Sequence, residues 1–181
     1  MIPHIVEDDI FTEQELKEIN YYYVKEFNKN ERVYSRVDVK HPLYDILLKA
    51  AENKFYQHRL KLRDEVKNKR CLHSDEPDEC FWNISVASHK PNYTHKLHKD
   101  SGYKLLSTVF FFSERGEGTI FKGHNGNKVL YNKEHQIEWK RNRAMSFIPS
   151  KTSWHYFKNT LDTNRETIVF FYGNNISGKN L

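Results

Sequence analysis

The feature that most narrows the folds open to this chain is a change of grammar after Cys80. From there the apolar residues stop recurring at helical spacing and gather in short runs rich in aromatic and β-branched side chains: Phe81 to Ala87, Leu105 to Phe112, Thr119 to Phe121, Val129 to Tyr131, Ala144 to Ile148, Trp154 to Phe157 and Ile168 to Tyr172. Runs of this length and composition are strands. Turn residues separate them at Gly102, Gly116-Glu117-Gly118, Gly123-His124-Asn125-Gly126 and Pro149-Ser150, where glycine, proline and asparagine supply the backbone angles that tight reversals need. Closely spaced strands without intervening helices exclude an alternating α/β fold and imply a sandwich or small barrel.

Upstream the pattern is helical. Thr12 and Glu15 have capping-box spacing, Phe11 and Leu16 suit a hydrophobic staple, and Leu16, Ile19, Tyr23 and Phe27 share one face, which predicts a helix from Thr12 to about Phe27. Pro42 suits the first turn of a second helix. That helix carries Leu43, Ile46, Leu47, Ala50, Ala51, Phe55 and Leu62 on a broad apolar stripe and fades before Lys67. With 181 residues the chain suits one domain, with residues 1–70 as helical support and 80–175 as the β core.

No apolar stretch is long enough to span a bilayer, and Met1-Ile2-Pro3-His4-Ile5 does not open like a secretory signal. The expectation is a soluble, cytoplasmic protein with no membrane partner, in the host cytoplasm if its source is viral. The two cysteines, Cys71 and Cys80, do not make a disulfide framework, and with His73 they lack a fourth ligand for a zinc cluster. A net charge of +5 could favour an acidic partner, but the basic residues are scattered, which favours solubility over a nucleic-acid interface.

Chemistry concentrates in three places. His98-Lys99-Asp100 can present an imidazole and a carboxylate to one side of a strand or strand end. His155 lies inside an apolar run, and Arg165 follows ten residues later, just before the last run. Two imidazoles and one carboxylate leave open positions on a non-haem iron(II), while a buried guanidinium can pair bidentately with a dicarboxylic acid. Thr167, two residues on, can add a hydroxyl on the same strand face. The spacing also predicts that His155 and Arg165 lie on adjacent antiparallel strands joined by the polar loop 159–164.

In this combination and order the chain resembles the 2-oxoglutarate/Fe(II)-dependent oxygenase superfamily, in its prolyl 4-hydroxylase-like branch. The resemblance runs through Ile5-Val6-Glu7-Asp8-Asp9-Ile10-Phe11-Thr12, His98-x-Asp100, Phe110-Phe111-Phe112-Ser113, Gly116-Glu117-Gly118-Thr119-Ile120-Phe121, Arg143-Ala144-Met145-Ser146-Phe147, His155 and Arg165-x-Thr167. It implies a double-stranded β-helix of the jelly-roll or cupin type, buttressed by two helices. It implies Fe(II) on His98, Asp100 and His155, 2-oxoglutarate on Arg165 and Thr167, dioxygen as oxidant, and ascorbate as an optional further ligand. The sequence departs from the branch pattern at three points. Ser88 or His89 stands where a co-substrate tyrosine is common, so Tyr93 becomes the candidate; Phe110-Phe111-Phe112 lacks the tyrosine of the next strand; Asn142 replaces a turn glycine.

The implied reaction hydroxylates a C–H bond and releases succinate and carbon dioxide. A prolyl or other residue of a peptide or protein is the first substrate class, and a free amino acid or other small metabolite the second. Nucleic-acid demethylation is less favoured, because Phe171 stands where a second arginine would be expected. A non-catalytic metal-binding β-helix module is the reading from outside enzymology. His95 and the lysines Lys96, Lys99 and Lys104 flank the site as candidate substrate contacts or as an ordinary solvated edge. Of the aromatic residues Trp82, Phe110, Phe112, Phe147, Trp154 and Phe171, most should be core.

Overall fold

The computed structural model describes residues 2–27, 34–66, 80–101, 103–125 and 128–173. The first helix, α1 (Glu13–Tyr22), starts as its sequence predicts: the Thr12 hydroxyl accepts from the Glu15 amide at 3.2 Å, and the Thr12 amide donates to the Glu15 carboxylate at 2.9 Å. A π-helical turn (Tyr23–Phe27) continues it. The second helical arm comprises α2 (Pro42–Ala50), another π turn (Ala51–Phe55) and α3 (Tyr56–Val66). The interruption has a physical cause. Leu43, Leu47, Ala51 and Phe55 recur every four residues and all are buried, so over three turns they run ahead of a 3.6-residue repeat by about one residue. The wider π turn takes up that residue and keeps the stripe facing inward.

Among the described residues, ten strands follow or frame these arms: β1 (His4–Glu7), β2 (Tyr34–Arg36), β3 (Phe81–His89), β4 (Thr94–His98), β5 (Lys104–Phe111), β6 (Ile120–Asn125), β7 (Lys128–Gln136), β8 (Arg143–Phe147), β9 (His155–Lys158) and β10 (Arg165–Gly173). They form a six-stranded sheet, β1-β8-β5-β10-β3-β2, and a four-stranded sheet, β4-β9-β6-β7, antiparallel throughout. This is the double-stranded β-helix that the family resemblance implies, and the sandwich that the strand runs predict.

The N-terminal part is more than helical support, since β1 and β2 form the two edges of the larger sheet. Strands of four and three residues are too short to show alternation, which is why their sequence did not announce them. The helices cover the outer face of that sheet: Leu16, Ile19, Leu43, Leu47, Phe55 and Leu62 share a core with Ile84, Val86, Leu106, Phe110, Ile168 and Phe170. Trp82 and Phe112 belong to this core as well. The inner face is left to the space between the sheets. No helix among the described residues is long and apolar enough to cross a membrane, and Cys71 and His73 lie outside the described residues.

Candidate metal centre

β4 ends at His98, β9 begins at His155, and these two residues are register partners in the smaller sheet. Asp100 follows two residues beyond the end of β4. One ligand atom from each of His98, Asp100 and His155 lies within 4.8 Å of the others, a separation that lets one ion bind all three at ordinary metal–ligand distances. The backbone sets the tautomers. His98 Nδ1 lies 2.9 Å from the Lys96 carbonyl and His155 Nδ1 2.9 Å from the Ser153 carbonyl. A carbonyl only accepts, so each Nδ1 carries the proton and each Nε2 keeps its lone pair for a metal. The rings of Phe121 and Phe147 pack on His155. Burial lowers the pKa of His155 against the opposing charge of Asp100, which favours the neutral, ligating form.

Asp100 is steadied from β5. Lys104 Nζ donates to one carboxylate oxygen at 2.9 Å and Ser107 Oγ to the other at 2.5 Å. Burial alone would raise the Asp100 pKa, but the charges of Lys104 and His155 and the Ser107 hydrogen bond outweigh it and hold the carboxyl below its usual value. The group is ready to act as an anionic ligand.

These side chains open onto a cavity of about 590 Å³ between the sheets. Its large-sheet wall reads as rungs of the β ladder. Arg165 stands opposite His89; Thr167 lies between Ala87 and Phe111, Val169 between Ser85 and Val109, and Phe171 between Asn83 and Ser107. β2 extends two rungs sideways, with Tyr34 opposite Ala87 and Arg36 opposite Ser85.

Arg165, 1% exposed, is immobilised before any ligand arrives. Its Nε donates to the Glu117 carbonyl at 2.7 Å, and its guanidinium lies 3.9 Å from the Phe157 ring centroid and 5.4 Å from that of Trp139. Next to Glu117, Gly118 lets the backbone pass close to Ile137, since a Cβ there would sit 1.5 Å from the Ile137 carbonyl oxygen. Burial pushes the Arg165 pKa down to about 9, opposed by Tyr34 and Glu117, so it stays cationic at neutral pH. Arg165 Nη2 and Thr167 Oγ1 are both buried without a hydrogen-bond partner among the described residues. Two orphaned donors on one strand face are costly unless an acceptor completes them, and a carboxylate does so.

Other candidates fall into place around this core. The expected hairpin between His155 and Arg165 is absent: β9 and β10 belong to different sheets, and residues 159–164 cross between them. The two side chains still face one interior, now from opposite walls. Tyr93 is not part of the cavity wall; its ring packs on His89 and Phe157, and its hydroxyl lies 3.5 Å from His95 Nδ1. A β-bulge between His95 and His98 turns both imidazoles inward despite their odd spacing, and His95 stacks flat on Phe157 with centroids 5.3 Å apart. Phe147 and Phe171 line the cavity, whereas Trp154 lies under Lys99 Nζ at 4.7 Å. The sequence reading missed Tyr34, Arg36 and Asn83, all cavity residues; Tyr34 and Arg36 ride on a strand too short to recognise. Tyr34 is exposed as a residue, yet burial of its phenol end raises its pKa and Arg165 opposes the rise.

No protein-family model and no curated protein matches the sequence. Solved structures do match the fold. A Pseudomonas putida prolyl-4-hydroxylase superposes with a TM-score of 0.64 at 13% identity, covering 94% of this chain and 92% of that one. A viral collagen prolyl hydroxylase from Paramecium Bursaria Chlorella virus-1, in complex with 2OG, gives 0.60 at 14%, with 94% of each chain covered. A prolyl hydroxylase from Trichoplax adhaerens, bound to a peptide fragment of hypoxia inducible factor, gives 0.65 at 11%, covering 97% and 87%. The chain thus has the double-stranded β-helix fold of the prolyl 4-hydroxylases and other 2-oxoglutarate/Fe(II) oxygenases.

Proposed function

We propose that the protein is an Fe(II)- and 2-oxoglutarate-dependent hydroxylase, with His98, Asp100 and His155 as metal ligands and Arg165 and Thr167 as the co-substrate anchor. One observation carries this reading: a His-Asp-His cluster within 4.8 Å shares a cavity with two buried donors that lack a partner among the described residues, Arg165 Nη2 and Thr167 Oγ1. When bound, the iron with 2-oxoglutarate and dioxygen supplies the oxidising power that puts one oxygen atom into a C–H bond while 2-oxoglutarate becomes succinate and carbon dioxide.

The chain's own residues hold and orient. The Lys96 and Ser153 carbonyls fix both imidazole tautomers, and Lys104 and Ser107 fix the rotation of Asp100. Arg165, locked by the Glu117 carbonyl, and the Thr167 hydroxyl donate to the far carboxylate of the diacid from the floor of the cavity. The apolar walls Val109, Phe147, Phe157 and Val169 keep water off that charged pair and so strengthen it.

Prolyl hydroxylases among the neighbours, one with a peptide in place, favour a prolyl or other residue of a peptide as substrate. The cationic lining of the outer cavity favours a free amino acid or small metabolite as the second reading. The test is anaerobic reconstitution with Fe(II) and 2-oxoglutarate, followed by oxygen and a panel of peptides, free amino acids and oligonucleotides, with ascorbate as an added reductant. Succinate release coupled to a mass gain of one oxygen is the expected result. No succinate under any condition, from chain that binds the metal, would refute the assignment.

A further inference from the structure

The outer half of the cavity is lined by hydrogen-bond donors. Asn83 is 6% exposed and lines the cavity; the Ser85 hydroxyl donates to its Oδ1 at 3.4 Å, and its Nδ2 meets no acceptor among the described residues. Arg36, one rung beside Ser85 on the edge strand β2, also lines the cavity, and its guanidinium meets no acceptor among the described residues. Lys104 faces the same space, with Nζ on Asp100 and 4.8 Å from the Phe171 ring centroid. The one carboxylate among the described lining residues is Asp100, and both its oxygens are engaged.

Charge points the same way. In the loaded site of the proposed function, a dication, Asp100, a dicarboxylate and Arg165 cancel one another. Arg36, exposed at the β2 edge, and Lys104, paired with Asp100, then remain as two uncompensated positive charges in the lining of a half-enclosed space. An uncharged substrate would leave the Asn83 amide without an acceptor and the two positive charges uncompensated, whereas a carboxylate, with two oxygens in one plane, matches a guanidinium and a neighbouring amide.

We infer that Arg36 and Asn83, flanked by Lys104, form a seat for a carboxylate carried by the primary substrate, held beside the metal centre at the β2 edge. This rests on the functional reading above. The ladder supports the placement: Arg36 lies in the rung of Ser85 and Val169, one step outward along the strands from the rung of Tyr34 and Thr167. An anion there lies alongside the co-substrate pocket and not within it.

The experiment loads the full chain with Mn(II), saturates it with 2-oxoglutarate, and follows metal-induced broadening of probe proton signals. Matched probes are N-acetyl-L-proline and N-acetyl-L-prolinamide, a short proline peptide as free acid and as amide, and phenyl phosphate. Each acid is expected to bind about tenfold or more tightly than its amide, and Arg36→Gln or Asn83→Leu to shrink that preference below about threefold, with Arg36→Lys retaining part of it. Preference shown by acetylproline alone assigns a small acid, and preference shown by the peptide assigns a chain carboxylate; either supports the seat. Equal binding of acids and amides, silence from every acid, tighter binding of phenyl phosphate, or a preference that survives both Arg36→Gln and Asn83→Leu overturns it. If 2-oxoglutarate itself fails to bind the Mn(II)-loaded chain, the functional reading falls as well; if it binds normally, only the seat is lost.

Discussion

Arg165 and Thr167 differ in what they lose on substitution, and that difference makes their roles separable. Arg165 is already held by the Glu117 carbonyl and the Phe157 and Trp139 rings, so little ordering entropy is spent when a diacid arrives. Arg165→Leu is expected to weaken 2-oxoglutarate binding to the Mn(II)-loaded chain by about a hundredfold or more, and Thr167→Val by about tenfold. Mn(II) affinity should change less than about threefold in both, because neither residue belongs to the ligand cluster. Arg165→Lys is expected to rescue little, since an ammonium cannot reproduce the fork. His98→Ala and His155→Ala should show the reverse order, with Mn(II) binding weakened by at least about a hundredfold and 2-oxoglutarate binding lost with it. Calorimetric titration of metal and then diacid reads both quantities, and unchanged diacid affinity in Arg165→Leu would move the anchor elsewhere.

At the scale of elements, Asn142 shows how a departure from the expected turn glycine is absorbed. It has a φ of 64°, in the left-handed region where glycine is least strained. Its side chain, however, accepts from the Phe11 amide at 3.0 Å and donates to the Phe11 carbonyl at 2.8 Å, tying the β7–β8 turn to the start of α1. Asn142→Gly relieves at most about 1 kcal/mol of backbone strain but leaves two buried polar groups to find new partners, at about 1–3 kcal/mol each. Net destabilisation of about 1–5 kcal/mol in urea unfolding is therefore expected, and a more stable glycine variant would show that strain dominates. Legibility follows a similar logic. The long runs that became β3, β5, β8 and β10, and the capping box of α1, were readable because each carries a local physical signature. The residues of the candidate metal cluster and Arg165 could be singled out because the proposed chemistry restricts residue type, and the structure brings them to one cavity. β1 and β2 were not, since strands this short owe their place to neighbours, and Arg36 and Tyr34 went unrecognised with them. The hairpin expected between His155 and Arg165 was wrong because a loop of hairpin length can also cross between packed sheets, and only tertiary structure decides which.

For the whole molecule, packing helices on one face of the sheet and a cavity on the other buries imidazoles on both sides, and this couples stability to pH. His89, 1% exposed behind the cavity wall, has its pKa pushed down from 6.5 to about 3 by burial first, then by the charges of Arg165 and His95, against a backbone contact with Arg165. His58, beneath the helices, is lowered by burial against the pull of Glu7, and its ring bridges Ser146 at 2.8 Å and Glu7 at 2.6 Å. A base whose folded pKa lies below its unfolded value binds its proton more readily in the unfolded chain. Its contribution is complete above the unfolded pKa of 6.5 and is lost as pH falls toward the folded value. Each such group costs about 1.4 kcal/mol per pH unit within its window, so His89 alone should remove about 2 kcal/mol between pH 6.5 and 5. Asp8 acts in a different range: its hydrogen bonds to Arg143 and Lys140 hold its carboxyl below 3.8, so its contribution is lost only in stronger acid. Urea unfolding of the metal-free chain at pH 7.5 and pH 5 reads the sum, and His89→Leu isolates one share of it. The variant is expected to lose less stability on acidification by about 2 kcal/mol, whatever its stability at neutral pH, and equal losses in variant and parent would mean that His89 is already protonated in the folded chain.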